Sequence, residues 1–196
     1  MRERIAQAAA RLIAEDGVQD YALAKRKAAR LVGAPDTHSL PSNAEVEQAL
    51  RLHHELYQRD EHPLRLRRLR EQAVAMMRVL ERFNPYLAGS VLSGTAARHS
   101  DINLQLFTDS VKDVELFLLN RQMPYKVGER RVRFGETLRV VPVFTLFGER
   151  AAMDIAVFST DDLRAAPKGP IDGKPLERAR LAQVEALLAG AKNSTS

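Results

Sequence analysis

Gly89-Ser90-Val91-Leu92-Ser93-Gly94-Thr95-Ala96-Ala97-Arg98-His99-Ser100-Asp101-Ile102-Asn103-Leu104 is the stretch on which the fold turns. The apolar run Tyr86-Leu87-Ala88 before it predicts a short strand that stops at Gly89. A glycine there lets the backbone turn tightly, so that amide N–H groups and the Ser90 hydroxyl can face an anion. Gly94 keeps the next turn free of side-chain bulk. From Asp101 to Phe107 the residues alternate, with Ile102, Leu104 and Leu106 on one face and Asp101, Asn103 and Gln105 on the other. Ala151 to Phe158 predicts another strand, with Ala152, Asp154 and Ala156 on one side. Two such strands bring polar side chains to a common face, as a metal site made by neighbouring carboxylates requires.

Working outward, residues 1–80 read as helices. Ile5, Ala9, Leu12 and Ile13 form one stripe that Gly17 terminates, and Asp20 caps a second helix with Ala24, Ala28, Leu31 and Val32. Ser42 and Glu45 have capping-box spacing and open a third, with Val46, Ala49, Leu50, His53 and Tyr57 on one side. Leu66, Leu69, Ala73, Met76, Leu80 and Phe83 mark a long helix that begins near Pro63 and that Pro85 ends. Beyond the central stretch, Ser110 caps a helix, and Tyr125 to Phe134 (a strand or a hairpin) and Leu138 to Leu146 follow. Pro142 suggests an edge strand or a bulge. After a Pro/Gly-rich segment, a closing helix is expected from about Leu176 to Leu188. The division is therefore 1–80 helical, 81–165 a sheet-bearing core, and 166–196 a linker, helix and tail.

The sequence of 196 residues has no cysteine, which excludes disulfides, thiolate metal sites and cysteine nucleophiles. No apolar run approaches the ~20 residues that span a bilayer. Met1-Arg2-Glu3-Arg4 leads into an Ala-rich helix with no apolar leader core, so a cytoplasmic protein without membrane association is expected. The net charge of +5 suits an anionic partner. Two clusters, Lys25-Arg26-Lys27-Arg30 and Arg65-Arg67-Arg68-Arg70, are the places on the basic helices where RNA or another polyanion would be guided.

The central stretch resembles the minimal nucleotidyltransferase fold of the DNA polymerase β type. That signature is a Gly-Ser turn, a glycine a few positions on, and then Ser-Asp-Ile-Asp-Leu. The sequence matches it without a gap at Gly89, Ser90, Gly94, Thr95, Ser100, Asp101, Ile102 and Leu104, over a region of roughly residues 70 to 160. The resemblance implies an α+β fold: an N-terminal helical region, then a small mixed-sheet domain with flanking helices. It implies that Gly89, Ser90, Gly94 and Ser100 bind a nucleotide. Asp101 and Asp154 would hold Mg²⁺ or Mn²⁺, with Asp101, Asn103 and Asp154 as the catalytic set. Asn103 departs from the family, which carries aspartate there; asparagine offers a carbonyl oxygen but no negative charge. Asp109, Glu129 and Asp161 are the acids that could substitute.

The expected activity is transfer of a nucleoside monophosphate from a nucleoside triphosphate to an acceptor hydroxyl, on RNA or protein, with Mg²⁺. The alternative is a degenerate member that binds nucleotides in a regulatory role. A third reading, a helical DNA-binding regulator, rests on the first helix, which resembles that of TetR-type repressors. It lacks the recognition helix that such proteins need next.

Overall fold

Small side chains shape the first of two compact units, which comprises residues 1–65 with 95–100 and 169–174. The computed structural model describes residues 1–192 except Gln19, 35–38, 58–60, Gly135, 149–150 and 165–175. Helices α1 (Arg2–Asp16), α2 (Tyr21–Leu31) and α3 (Asn43–Tyr57) belong to this unit. Alanines 6, 9, 10, 14, 24, 28 and 29 are buried together with Ile5, Ile13, Val46 and Leu50. Methyl-sized residues let helix backbones approach closely. Gly17 ends α1 in the left-handed conformation, φ 70°, and Asp20 caps α2 by accepting from the N–H groups of Ala22 and Leu23. Two expected core residues differ. Leu31 is 70 % exposed, Val32 covering that end of α2, and Tyr57 is 75 % exposed while His54 is buried.

The capping box forms as the spacing predicts. Ser42 N–H donates to Glu45 Oε2 at 2.7 Å, and Glu45 N–H donates to Ser42 Oγ at 3.2 Å. Arg2 of α1 reaches the same carboxylate at 2.8 Å, tying α1 to the start of α3.

The second unit comprises residues 66–94, 101–168 and 175–196. Helix α4 (Glu61–Val79) runs into it and a 3-10 turn at Glu81–Phe83 follows. Then come β1 (Tyr86–Ala88), α5 (Ser90–Ser93), β2 (Ile102–Phe107), α6 (Val111–Asn120), β3 (Tyr125–Phe134), β4 (Thr137–Phe147), β5 (Ala152–Phe158), β6 (Arg178–Arg180) and α7 (Leu181–Lys192). The sheet order is β3-β4-β5-β2-β1-β6, with β2 and β5 parallel and every other pair antiparallel. The fold class is α+β, with the helical region N-terminal to a mixed sheet.

One sheet face carries Leu87, Ile102, Leu104, Leu106, Phe144 and Ile155, all almost fully buried. Met77, Val114, Leu118 and Val184 of the helices, and Leu80 just after α4, are buried too, which is how an apolar sheet face is kept from water. The opposite face holds a smaller cluster of Tyr86, Phe107, Val141, Val143, Ala156 and Phe158, among which the polar residues stand.

Three expectations change. Tyr125–Phe134 is one ten-residue strand, and the hairpin is β3 with β4. The closing helix begins at Leu181, because Arg178–Arg180 first pairs with β1 as β6. Pro142 is not on an outer strand of the sheet; it lies just outside the β4–β5 register, which runs from Val143 to Phe147. Its missing N–H therefore interrupts no β4–β5 ladder. Among the described residues, no helix is long and apolar enough to cross a membrane.

The Glu45 carboxyl is pulled down to about 2 by hydrogen bonds from Arg2 and then Ser42. A carboxyl lowered by folding stabilises the fold above its unfolded value of 4.5, and that contribution is lost as pH falls from there toward 2. Helix content followed by circular dichroism should therefore decline across this window in the wild type. Glu45→Gln, which cannot titrate, should be less stable at neutral pH and lack this part of the decline.

Candidate functional site

Three backbone features of the second unit converge on Asn103. Gly89 links β1 to α5 at φ 76°, ψ −159°, a region open in practice only to glycine. A Cβ at Gly89 would stand 3.3 Å from Asn103 Nδ2, so the asparagine side chain lies directly against this turn. The parallel β2–β5 register then sets Asn103 beside Asp154, on strands ~4.8 Å apart. The two share a face, as alternation predicts. They lie on the two central strands of the sheet.

The sequence reading did not foresee the group that occupies this place. Arg130 of β3 donates from Nη1 to Asn103 Oδ1 at 2.9 Å and from Nη2 to Asp154 Oδ2 at 2.5 Å. Thr145 Oγ1 donates to the other oxygen, Asp154 Oδ1, at 2.7 Å. Asp154 is thus held through both oxygens, with its side chain 21 % exposed against 38 % for Arg130. In a flat sheet β3 would lie three strand spacings from β2, about 14 Å, beyond an arginine's reach. The β3–β4 ribbon must therefore curl over this face. Val132 and Phe134 pack on the Tyr86–Phe158 cluster, with Phe134 and Phe158 ring centroids 6.1 Å apart. Arg139 of β4 pairs with the buried Asp162, whose carboxylate also takes the Ser159 hydroxyl at 3.0 Å.

The other expected residues have varied places. Ser90 opens α5, and its carbonyl accepts from the N–H of Gly94, which ends that helix at φ 83°. Asp101 precedes β2, half-buried, and its backbone carbonyl accepts from Asn103 Nδ2 at 3.3 Å. Ser100 belongs to the first unit, where its hydroxyl accepts from Ala97 N–H at 2.8 Å. The geometry brings together Gly89, Asn103 and Asp154 and adds Arg130 and Thr145.

Arg130 and Thr145 each bond one oxygen of Asp154, Asn103 is neutral, and the guanidinium bridges the two side chains, so Asn103 and Asp154 as they stand are a poor pair for holding two metal ions. Asp109 is bound by the Thr160 N–H and hydroxyl at 3.0 and 2.8 Å, and the first of these contacts draws its pKa down most. Glu129 adjoins Arg130 on β3 and so points to the other face. Among the described residues no group of three or more His, Cys, Asp or Glu could hold a metal ion.

The Arg65–Arg70 cluster is not a uniform solvated face. Arg70 donates from Nε to the Val91 carbonyl at 3.0 Å and from Nη2 to that of Leu92 at 2.9 Å, satisfying the C-terminal carbonyls of α5. Burial lowers its pKa. Arg67 pairs with Glu71 at 3.0 Å. Lys25, Arg26, Lys27 and Arg30 on α2 form no ion pair among the described residues, and the last three are exposed.

Searches of protein-family models, curated proteins and solved structures find no match to this chain.

Arg70 fixes the short helix that carries Ser90. Arg70→Met keeps the bulk and removes both donors, so it should cost about 1.5–3 kcal/mol in urea unfolding, the range for hydrogen bonds from a charged group.

Proposed function

We propose that the second unit is a nucleotidyltransferase-like module that binds a nucleotide at the Gly89–Asn103–Asp154 junction without transferring it. In this reading Arg130 supplies the positive charge that a divalent ion supplies in active members of the fold the sequence resembles. The observation that carries it is the guanidinium bonded to both Asn103 and Asp154.

The charge balance supports this reading. One cation meets one carboxylate, and the second acceptor is neutral. With aspartate at position 103 the guanidinium would face two carboxylates, leaving net negative charge that draws in a metal ion. Asn103 is then a matched partner of Arg130 and not merely a lost ligand. Its two bonds leave the remainder of the five or so N–H donors a guanidinium carries to meet phosphate oxygens. Asp154 and Asn103 act as positioning residues that aim this cation. The cytoplasm, with its free nucleotides, is the compartment that suits the role.

The competing reading is Mg²⁺- or Mn²⁺-dependent nucleotidyl transfer on Asp101 and Asp154. It requires Arg130 to abandon Asp154. Calorimetric titration of ATP with and without EDTA separates the two. Binding that persists in EDTA and falls at least about tenfold in Arg130→Gln is the expected result. Binding only with divalent ions, or incorporation of labelled nucleoside triphosphate into RNA or protein, would overturn it. Asn103→Asp should improve divalent-ion affinity, because it adds the missing charge at nearly constant size.

In the first unit, the exposed basic face of α2 is the place we propose for RNA or another polyanion. Affinity for single-stranded RNA should fall with salt, with a slope near −0.7 per neutralised phosphate. Replacing Lys25, Arg26, Lys27 and Arg30 together by Gln should flatten that slope. An unchanged slope would make the cluster ordinary solvated surface.

A further inference from the structure

The face that carries Arg130 also carries two buried polar atoms with no hydrogen-bond partner. Gln105 Oε1 is one, on a residue only 5 % exposed; Arg178 Nη1 is the other. Gln105 follows Asn103 by two residues on β2, so both side chains point the same way, and Gln105 lies opposite Tyr86 of β1. The Arg178 guanidinium sits over the rings flanking Gln105, 5.3 Å from the centroid of Tyr86 and 4.9 Å from that of Phe107. Its Nη2 is committed to the Leu163 carbonyl. Beside it, Arg180 Nε donates to the Tyr86 hydroxyl at 3.0 Å.

An acceptor and a donor are thus left unpaired on one surface and do not bond each other. Burying such groups is costly, so a complement is expected. A bare phosphate would suit Arg178 but set its lone pairs against Gln105 Oε1. A metal ion would suit Gln105 but face a guanidinium. The complement is a neutral group offering an O–H or N–H beside a lone pair. A ribose hydroxyl or a nucleobase edge has that chemistry.

We propose that Gln105 and Arg178 form the nucleoside subsite of the same face, with the phosphates toward Arg130. This rests on the nucleotide reading above and names the part of the ligand that confers selectivity. Both atoms are covered in this structure, and the curled β3–β4 ribbon packs on the cluster that surrounds them. Entry of a nucleoside therefore requires the ribbon to lift. Among the described residues the ion pairs that tie the ribbon to this face are Arg130–Asp154 and Arg139–Asp162.

The test is calorimetry of the full chain with ATP, dATP, CTP, adenosine and tripolyphosphate, in EDTA. Wild type should bind ATP more tightly than tripolyphosphate. Gln105→Met, nearly isosteric and apolar, should weaken ATP about tenfold, leave tripolyphosphate unchanged, and keep or raise the melting temperature, because it removes an unpaired acceptor. Weaker dATP than ATP would assign the contact to the ribose, and discrimination between ATP and CTP to the base. Equal affinity for ATP and tripolyphosphate, or ATP binding untouched by Gln105→Met, overturns the subsite and leaves the phosphate reading standing. Binding of adenosine but not tripolyphosphate does the reverse. Binding of none overturns both.

Discussion

Arg130 is a long cation from an outer strand, held between an amide and a carboxylate on the two middle strands of the sheet. That single placement requires the β3–β4 ribbon to bend over the face, and it neutralises Asp154. It also explains why position 103 can be uncharged. The contact is partly exposed, so its net contribution to stability is modest; pairs of this kind are screened and weigh least where water reaches them. Its importance is directional. It fixes where positive charge stands relative to the Gly89 turn, and the polar residues of that face are arranged around it.

Much of this arrangement was readable before the structure. Helix starts were clear because Asp20, Ser42 and Ser110 use side-chain oxygens to satisfy backbone N–H groups, a local effect that survives in any tertiary context. That Asn103 and Asp154 share a sheet face was clear because strand alternation has a period of two; that they stand side by side is set by the β2–β5 register. Gly89 adopts the positive φ that its place at a tight turn suggested, and Gly94 adopts one too.

What stayed hidden is long-range. Arg130 lies 27 residues from Asn103 and 24 from Asp154 in sequence, within a run of charged residues that reads as solvated strand. Nothing local distinguishes it from Arg131 or Arg133. Only the curl of the ribbon does that, and curl depends on how Phe134 and Val132 find the Phe158 cluster. Arg70 was hidden for the same reason, since its partners are carbonyls more than 20 residues away. β6 escaped because three residues are too few for any periodicity. Its pairing with β1 is set by register alone: Ala88 with Arg178, and Tyr86 with Arg180.

The ten-residue strand β3 ends the sheet order and offers one side of its backbone to the surroundings. Such an edge is a template on which a second chain can add a strand. The ribbon's outward face makes this hazard worse, with Val127, Leu138 and Val140 each more than half exposed. Lys126, Arg131 and Arg133 stand exposed along that same edge, with Glu129 the one acid among them, and edges of like net charge repel one another. The arginine-rich character of this strand therefore also bears on colloidal behaviour. It discourages copies of the chain from stacking edge to edge, and a variant stripped of these charges would lose that protection in concentrated solution.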